Sequence, residues 1–366
     1  MNKTKFKKIA KKSGFFAVII FAIIGLGFVG VFFAMKLHLT DVKGSIDSRN
    51  EYFKQVKNEI IQKKNNTISV SPNSVSSLDA RTTCHLLLLS SLMPENGSKI
   101  IDVYIQTKSS TVVQKMIIAA ESILSNNTFW NEQVAECNDR SDLVSDTNLN
   151  KNVFDWTLSD EWNVLSEALI KDKDAINQAS LASGVSSRFI VATVMAEQFR
   201  FFTANRESFK KFFEPLKVLG NATQFSYGVA GVKEDTARAI ENHLKNPESP
   251  FYLGPTYEHL LDFTTTDVDQ ERLNRLTDKK NHYYSYLYTA LFIKQINTQW
   301  QKAGYNISDR PEVLATIFNL GFGRSVPKEN PEIGGSTITV RDKDYTFGGL
   351  SYEFYYSGEL YDVFPY

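Results

Sequence analysis

Twenty-one consecutive uncharged and mostly apolar residues, Phe15 to Met35, follow a segment that carries Lys3, Lys5, Lys7, Lys8, Lys11 and Lys12 and no acid. As a helix this run is about 31 Å long, enough to cross the hydrocarbon core of a bilayer. It divides the chain: 1–14 reads as a basic cytoplasmic tail and 15–35 as a transmembrane anchor. Everything after Lys36 is expected on the far side of the cell (inner) membrane, because lysine excess marks the cytoplasmic flank. A cleaved signal peptide is the rival reading, but the run is long for one and ends in FFAMKLHL, without a small-residue cleavage site. Gly25, Gly27 and Gly30 spell the G-x-G-x-x-G of dinucleotide-binding turns. No strand precedes them, and they read as glycines of a membrane helix.

The zero net charge of the 366 residues conceals an asymmetry. Seven of the 41 Lys+Arg lie in residues 1–36 and none of the 41 Asp+Glu do, which leaves 34 basic against 41 acidic residues in the exported part, net minus seven. Nucleic acid is excluded as a partner, since phosphate binding needs a basic face. Cys84 and Cys137 are the two cysteines, and an oxidising compartment permits either a disulfide between them or two buried thiols. The five histidines, His38, His85, His243, His259 and His282, are scattered and form no H-E-x-x-H, so neither metal nor cofactor is expected.

Residues 45–64 pattern as an amphipathic helix and 65–77 as a polar linker. HLLLLSSLM and VVQKMIIAAESIL follow, so 36–156 reads as a membrane-proximal helical region, a small domain or a stalk. From residue 157 the helices are better punctuated. TLSDEWNVLSEALIKDKDAINQASLASG places Trp162, Leu165 and Leu169 at helical spacing and stops at Gly184. Ser186 or Ser187 caps the next helix, and KKNHYYSYLYTALFIKQINTQWQKAG stops at Gly304. Asp309-Arg310-Pro311-Glu312 offers a capping box for RPEVLATIFNLG. Nothing from 157 to 320 alternates as a strand, whereas STITV and YTF, joined by RDKD, read as one hairpin before the aromatic LSYEFYYSGELY. The expected fold class is mainly α, with a small β-hairpin near the C-terminus.

Within VMAEQFRFF, residues 194–202, Glu197 shares a helix face with Ile190 and Val194. A carboxylate among apolar groups is costly unless a partner neutralises it or it holds its proton. Arg200, Arg188 and Arg238 are the available partners, and turning out at the helix end is the other structural solution. In the catalytic reading, a desolvated carboxylic acid delivers its proton to a leaving group.

Three segments bear on that choice. INQASLASGVSSRFIVATVMAEQ ends on Glu197, SYGVAGVKEDTARAI contains the turn Gly228-Val229-Ala230-Gly231, and LATIFNLGFG contains Phe318, Asn319 and Gly321. In this order, over roughly residues 160–325, they resemble the Glu-Ser, Gly-Leu-Met-Gln and Ala-Tyr-Asn-x-Gly motifs of the lysozyme-like, soluble-type lytic transglycosylases. The resemblance implies a lysozyme-like domain over 157–366, with an insertion around 245–278. It also implies action on peptidoglycan glycan strands in the periplasm, cutting the bond between N-acetylmuramic acid and N-acetylglucosamine with formation of a 1,6-anhydro ring. Glu197 takes the place of the catalytic acid. Gln198 stands where the family has Ser, Gly231 where it has a glycan-binding Gln, and Phe318 where it has Tyr.

Substrate contacts are expected from Gln198, Ser226, Tyr227, Gly228, Gly231, Phe318, Asn319 and Tyr352. Asn319 reads equally as a helix C-cap, Ser226 and Tyr227 as turn residues, and the aromatics of 352–356 as core. A hydrolytic muramidase needs a second carboxylate. Glu207, Glu234, Asp235 and Glu312 are the candidates, all in polar or helix-opening settings. A catalytically inactive glycan- or partner-binding scaffold is the remaining alternative.

Overall fold

Short-range punctuation sets most of the helix ends. The computed structural model describes residues 78–135, 137, 152–203, 226–227, 229–278 and 280–366. The predicted tail, the 15–35 span, the amphipathic stretch at 45–64 and the linker lie outside them. Among the described residues no helix is long and apolar enough to cross a membrane.

The first four helices among the described residues are α1 (Ala80–Leu92), α2 (Pro94–Thr107), α3 (Ser110–Leu124) and α4 (Thr128–Ala135). Asp79 caps α1 by accepting from Thr82 N at 2.9 Å, and Ser109 caps α3 from Val112 N at 3.2 Å. Cys84 and Cys137 are joined in a disulfide with Cα atoms 5.8 Å apart, tying α1 to the residue just beyond α4.

A 3₁₀ turn (Asp155–Leu158) leads into α5 (Asp160–Lys171), α6 (Lys173–Ser183) and α7 (Ser187–Thr203). The expected single helical stretch from 157 to 184 is therefore broken at Asp172. Tertiary bonds fix the break: the Asp172 carboxylate lies 2.5 Å from His282 Nδ1 and accepts from Tyr286 Oη at 2.6 Å. Gly184 ends α6 in the left-handed region, with φ 71°, as expected.

A two-residue ladder follows, β1 (Ser226–Tyr227) antiparallel to β2 (Val232–Lys233), too short for its alternation to show in sequence. Then come α8 (Glu234–Lys245), a 3₁₀ turn (Pro255–Tyr257), α9 (Val268–Thr277), α10 (Tyr283–Lys302) and α11 (Pro311–Leu320). The capping box expected before α11 does not form: no side chain caps that end, and Asp309 pairs instead with Lys115 at 2.9 Å. The hairpin does form, β3 (Thr337–Val340) with β4 (Lys343–Thr346). Arg341 and Asp342 at its turn both have positive φ, 48° and 63°, as the tight turns of hairpins demand. The closing aromatic segment is α12 (Phe347–Ser357), which makes twelve α-helices among the described residues.

α7 runs through the centre, with Ile190, Val191, Val194, Met195 and Phe199 fully buried. α12 packs on α7 and α11, and α10 packs on α6. Trp156, Trp162, Phe199 and Phe354 form an aromatic cluster in which the two indoles meet edge to face at 4.9 Å. The described residues before 157 pack on this core as well. α3 packs on α12, Lys99 pairs with Glu359, and Asn96 bonds to Asn152 at 3.1 Å and to the Val153 amide at 3.0 Å. The described residues all fall in one compact unit.

The expected insertion is anchored through Arg272 of α9, which grips Glu241 of α8 with two bonds of 2.6 Å. Tyr288 of α10 donates to the same carboxylate at 2.6 Å.

Candidate functional site

Glu197 sits near the C-terminal end of α7, 3% exposed. Of the three possible arginine partners, Arg200 is the one it uses. Arg200 donates from Nε to Oε2 at 2.9 Å and from Nη2 to Oε1, across the i,i+3 spacing that places both residues on one face. Arg238 pairs with Glu234 and Asp269, and Arg188 is spent on the C-terminal segment.

The turn between β1 and β2 lies directly against this carboxylate. Gly231 has φ +60°, and a Cβ built on it would stand 2.0 Å from Glu197 Oε1. The carboxylate thus fills the space that a side chain at 231 would need. The neighbouring Gln198 donates from Nε2 to the Val229 carbonyl, fixing the turn to the helix end. Two segments more than thirty residues apart in sequence, both singled out by the resemblance, therefore meet at one carboxyl group.

The third segment lies beside them, since α11 packs on α7, but its polar group is otherwise engaged. Asn319 Oδ1 accepts from the Ser336 amide at 2.8 Å and from Ser336 Oγ at 3.0 Å, pinning the loop that enters β3. It is not the C-cap, which is Gly321. The Phe318 ring packs edge to face on Phe292 at 5.2 Å and stacks on Phe347 at 6.4 Å. Tyr352, expected to contact substrate, is 4% exposed with its ring 4.8 Å from that of Tyr356, and presents no face to a ligand. Ser226 and Tyr227 pair with Lys233 and Val232 through the β1–β2 ladder, and Gly228 lies outside the described residues. Of the possible second carboxylates, Glu234 is paired with Arg238 and Glu312 with Arg310, Asp235 is exposed at the start of α8, and Glu207 lies outside the described residues. Among the described residues no group of three or more His, Cys, Asp or Glu side chains is placed to hold a metal ion.

Sequence reasoning passed over Glu353, although its signal was that of Glu197: one acid in an aromatic helix. Burial pushes its carboxyl from the ordinary 4.5 up to about 7, and Asp155 adds to the rise. Lys343 and a hydrogen bond from Trp156 Nε1, at 3.1 Å, oppose it. The Tyr345 hydroxyl, whose own pKa is raised by burial and by Glu353, is buried without a hydrogen-bond partner.

A carboxyl that binds its proton more tightly folded than unfolded stabilises less as that proton leaves. Stability should therefore fall as pH rises from about 4.5 to about 7, by up to about 3 kcal/mol. Denaturant midpoints at pH 5 and pH 8 should show the loss in the native chain and a much flatter profile in Glu353→Gln. Equal slopes in both would refute the assignment.

Comparison of the chain with protein-family models, with curated proteins and with solved structures returned no match.

Proposed function

We propose that this chain is a membrane-anchored, extracytoplasmic lytic transglycosylase built on the lysozyme-like plan, with Glu197 as its acid and peptidoglycan glycan strands as its substrate. The observation that carries the reading is the convergence at Glu197. A buried carboxyl at a helix end has the backbone of a distant glycine turn pressed against it, and the next α-helix to carry a matching segment packs alongside.

In the chemistry that follows, Glu197 gives a proton to the glycosidic oxygen as the bond from muramic-acid C1 to that oxygen breaks. The carboxylate then takes the proton of the sugar's 6-hydroxyl, whose oxygen forms the new bond to C1 and closes the 1,6-anhydro ring. One carboxyl suffices and no water is consumed, which suits a site whose described neighbouring acids are tied to arginines or exposed. The 15–35 anchor would confine cutting to wall close to the membrane.

A non-catalytic scaffold is the second reading, and the hold of Arg200 on both Glu197 oxygens favours it. Incubating the full-length chain in detergent with purified peptidoglycan, followed by mass spectrometry, separates the possibilities. A transglycosylase releases anhydro-muropeptides, and Glu197→Gln lowers their release by about 10²-fold or more. Products heavier by one water identify a muramidase. No product from any form leaves the scaffold.

A further inference from the structure

A general acid must present an oxygen to the bond it cleaves, and Glu197 has none free. Both of its oxygens are taken by one guanidinium, in the fork geometry that matches a carboxylate; the Glu197 side chain is buried, 4% exposed, and that of Arg200 mostly covered, 11% exposed. Against the same carboxylate stands Gly231, in a left-handed conformation, without the side chain that would push the carboxylate out. Gln198 holds the Val229 carbonyl and keeps that turn from backing away. The arginine is one turn along the same helix, so the pair is local and needs no distant element to form.

We propose that Arg200 and Gly231 form an autoinhibitory latch: Arg200 holds the Glu197 carboxylate down in the space left by Gly231, and the enzyme's resting form works about tenfold below its full rate until that hold is released. This rests on the transglycosylase reading and reconciles it with the feature that favours a scaffold. The two residues are positioning groups acting through Glu197. Gly231 is needed because the far end of the Glu197 side chain occupies its Cβ position; any larger residue displaces the carboxylate from the arginine.

The test uses the full-length chain in detergent and two readouts. The first is coupling of carboxyl groups to glycine ethyl ester by a carbodiimide, located by mass spectrometry. In the native chain Glu197 should label far more slowly than the exposed Asp235. Arg200→Met and Gly231→Ala should speed its labelling by about tenfold or more, tenfold being the least that loss of one of the two charge-assisted hydrogen bonds gives. Arg200→Lys, which keeps the charge but loses the fork, should fall between and guards against a misfolded Arg200→Met.

The second readout is anhydro-muropeptide release, which should rise by a similar factor in Arg200→Met and Gly231→Ala and vanish when Glu197→Gln is added to either. Native Glu197 that labels as fast as Asp235, or variants that label no faster than the native chain, would overturn the latch whatever the activity. So would folded, faster-labelling variants that cleave no faster than an active native chain. Faster labelling with no product from any form upholds the contact and overturns the transglycosylase reading instead.

Discussion

Replacing Arg188 by methionine should cost about 4 kcal/mol of stability, because it strands several buried acceptors at about 1–3 kcal/mol each. Arg188 is fully buried on α7 and has no carboxylate among its hydrogen-bond acceptors. Nε donates to the Tyr355 carbonyl at 2.7 Å, Nη1 to those of Glu359 at 2.9 Å and Phe364 at 3.1 Å, and Nη2 to the Phe354 carbonyl and Tyr366 Oη, both at 3.1 Å. That satisfies all the N–H bonds of the guanidinium.

The plane also lies 4.1 Å from the centre of the Tyr366 ring. Phe354 and Tyr355 are in the last turn of α12, so the cation sits where the helix dipole is negative and four carbonyl dipoles replace a counter-ion. Methionine fills the volume and satisfies none of the acceptors, each of which then costs about 1–3 kcal/mol if left dry. Lysine keeps the charge but offers three donors from one point, and should recover only part of the loss. Urea unfolding of the full-length chain gives the measurement, and hydrogen exchange should locate the loosening at residues 354–366. A cost under about 1 kcal/mol for Arg188→Met would show that the segment does not depend on this clamp.

What the sequence reveals of this fold is what its neighbours in the chain decide. Gly184 and Gly304 stop their helices with positive φ, and Ser186 Oγ accepts from the Phe189 amide at 3.3 Å at the start of α7. The hairpin appears where its alternation and its polar turn place it. What escapes is decided at a distance. The break at Asp172 exists because His282 and Tyr286, more than a hundred residues on, bond to its carboxylate. The failed cap at Asp309 has the same origin, since Lys115 of α3 competes for that side chain.

The candidate site divides along the same line. The burial of Glu197 was legible from its apolar helix face, and Arg200 was among three named partners because the i,i+3 spacing is local. That Arg188 and Arg238 are excluded depends on where residues 354–366 and α9 fold back, which no local pattern reveals. Tyr352 misled for a related reason. In α12 nearly every side is covered, by α7, α11 and α3, so an aromatic-rich helix end that reads as a stacking platform is core.

Removing the Cys84–Cys137 bond by paired serine substitutions should also cost about 4 kcal/mol, because the cross-link closes a loop of 53 residues in the unfolded chain. The cost should concentrate in α1–α4, which the bond spans, and reach α12 only through the packing of α3. Hydrogen exchange should therefore rise across residues 80–135 well before it rises in α7 or α10. The same bond tests the expected topology, since such a disulfide persists in an oxidising compartment and is reduced in the cytosol. Chain isolated from cells under alkylating conditions should carry no label at either cysteine if residues after Lys36 are exported. Full labelling of both in intact cells, with the purified chain forming the bond readily in air, would place this part of the chain in a reducing compartment. Peptidoglycan would then be out of its reach, whatever Glu197 is able to do.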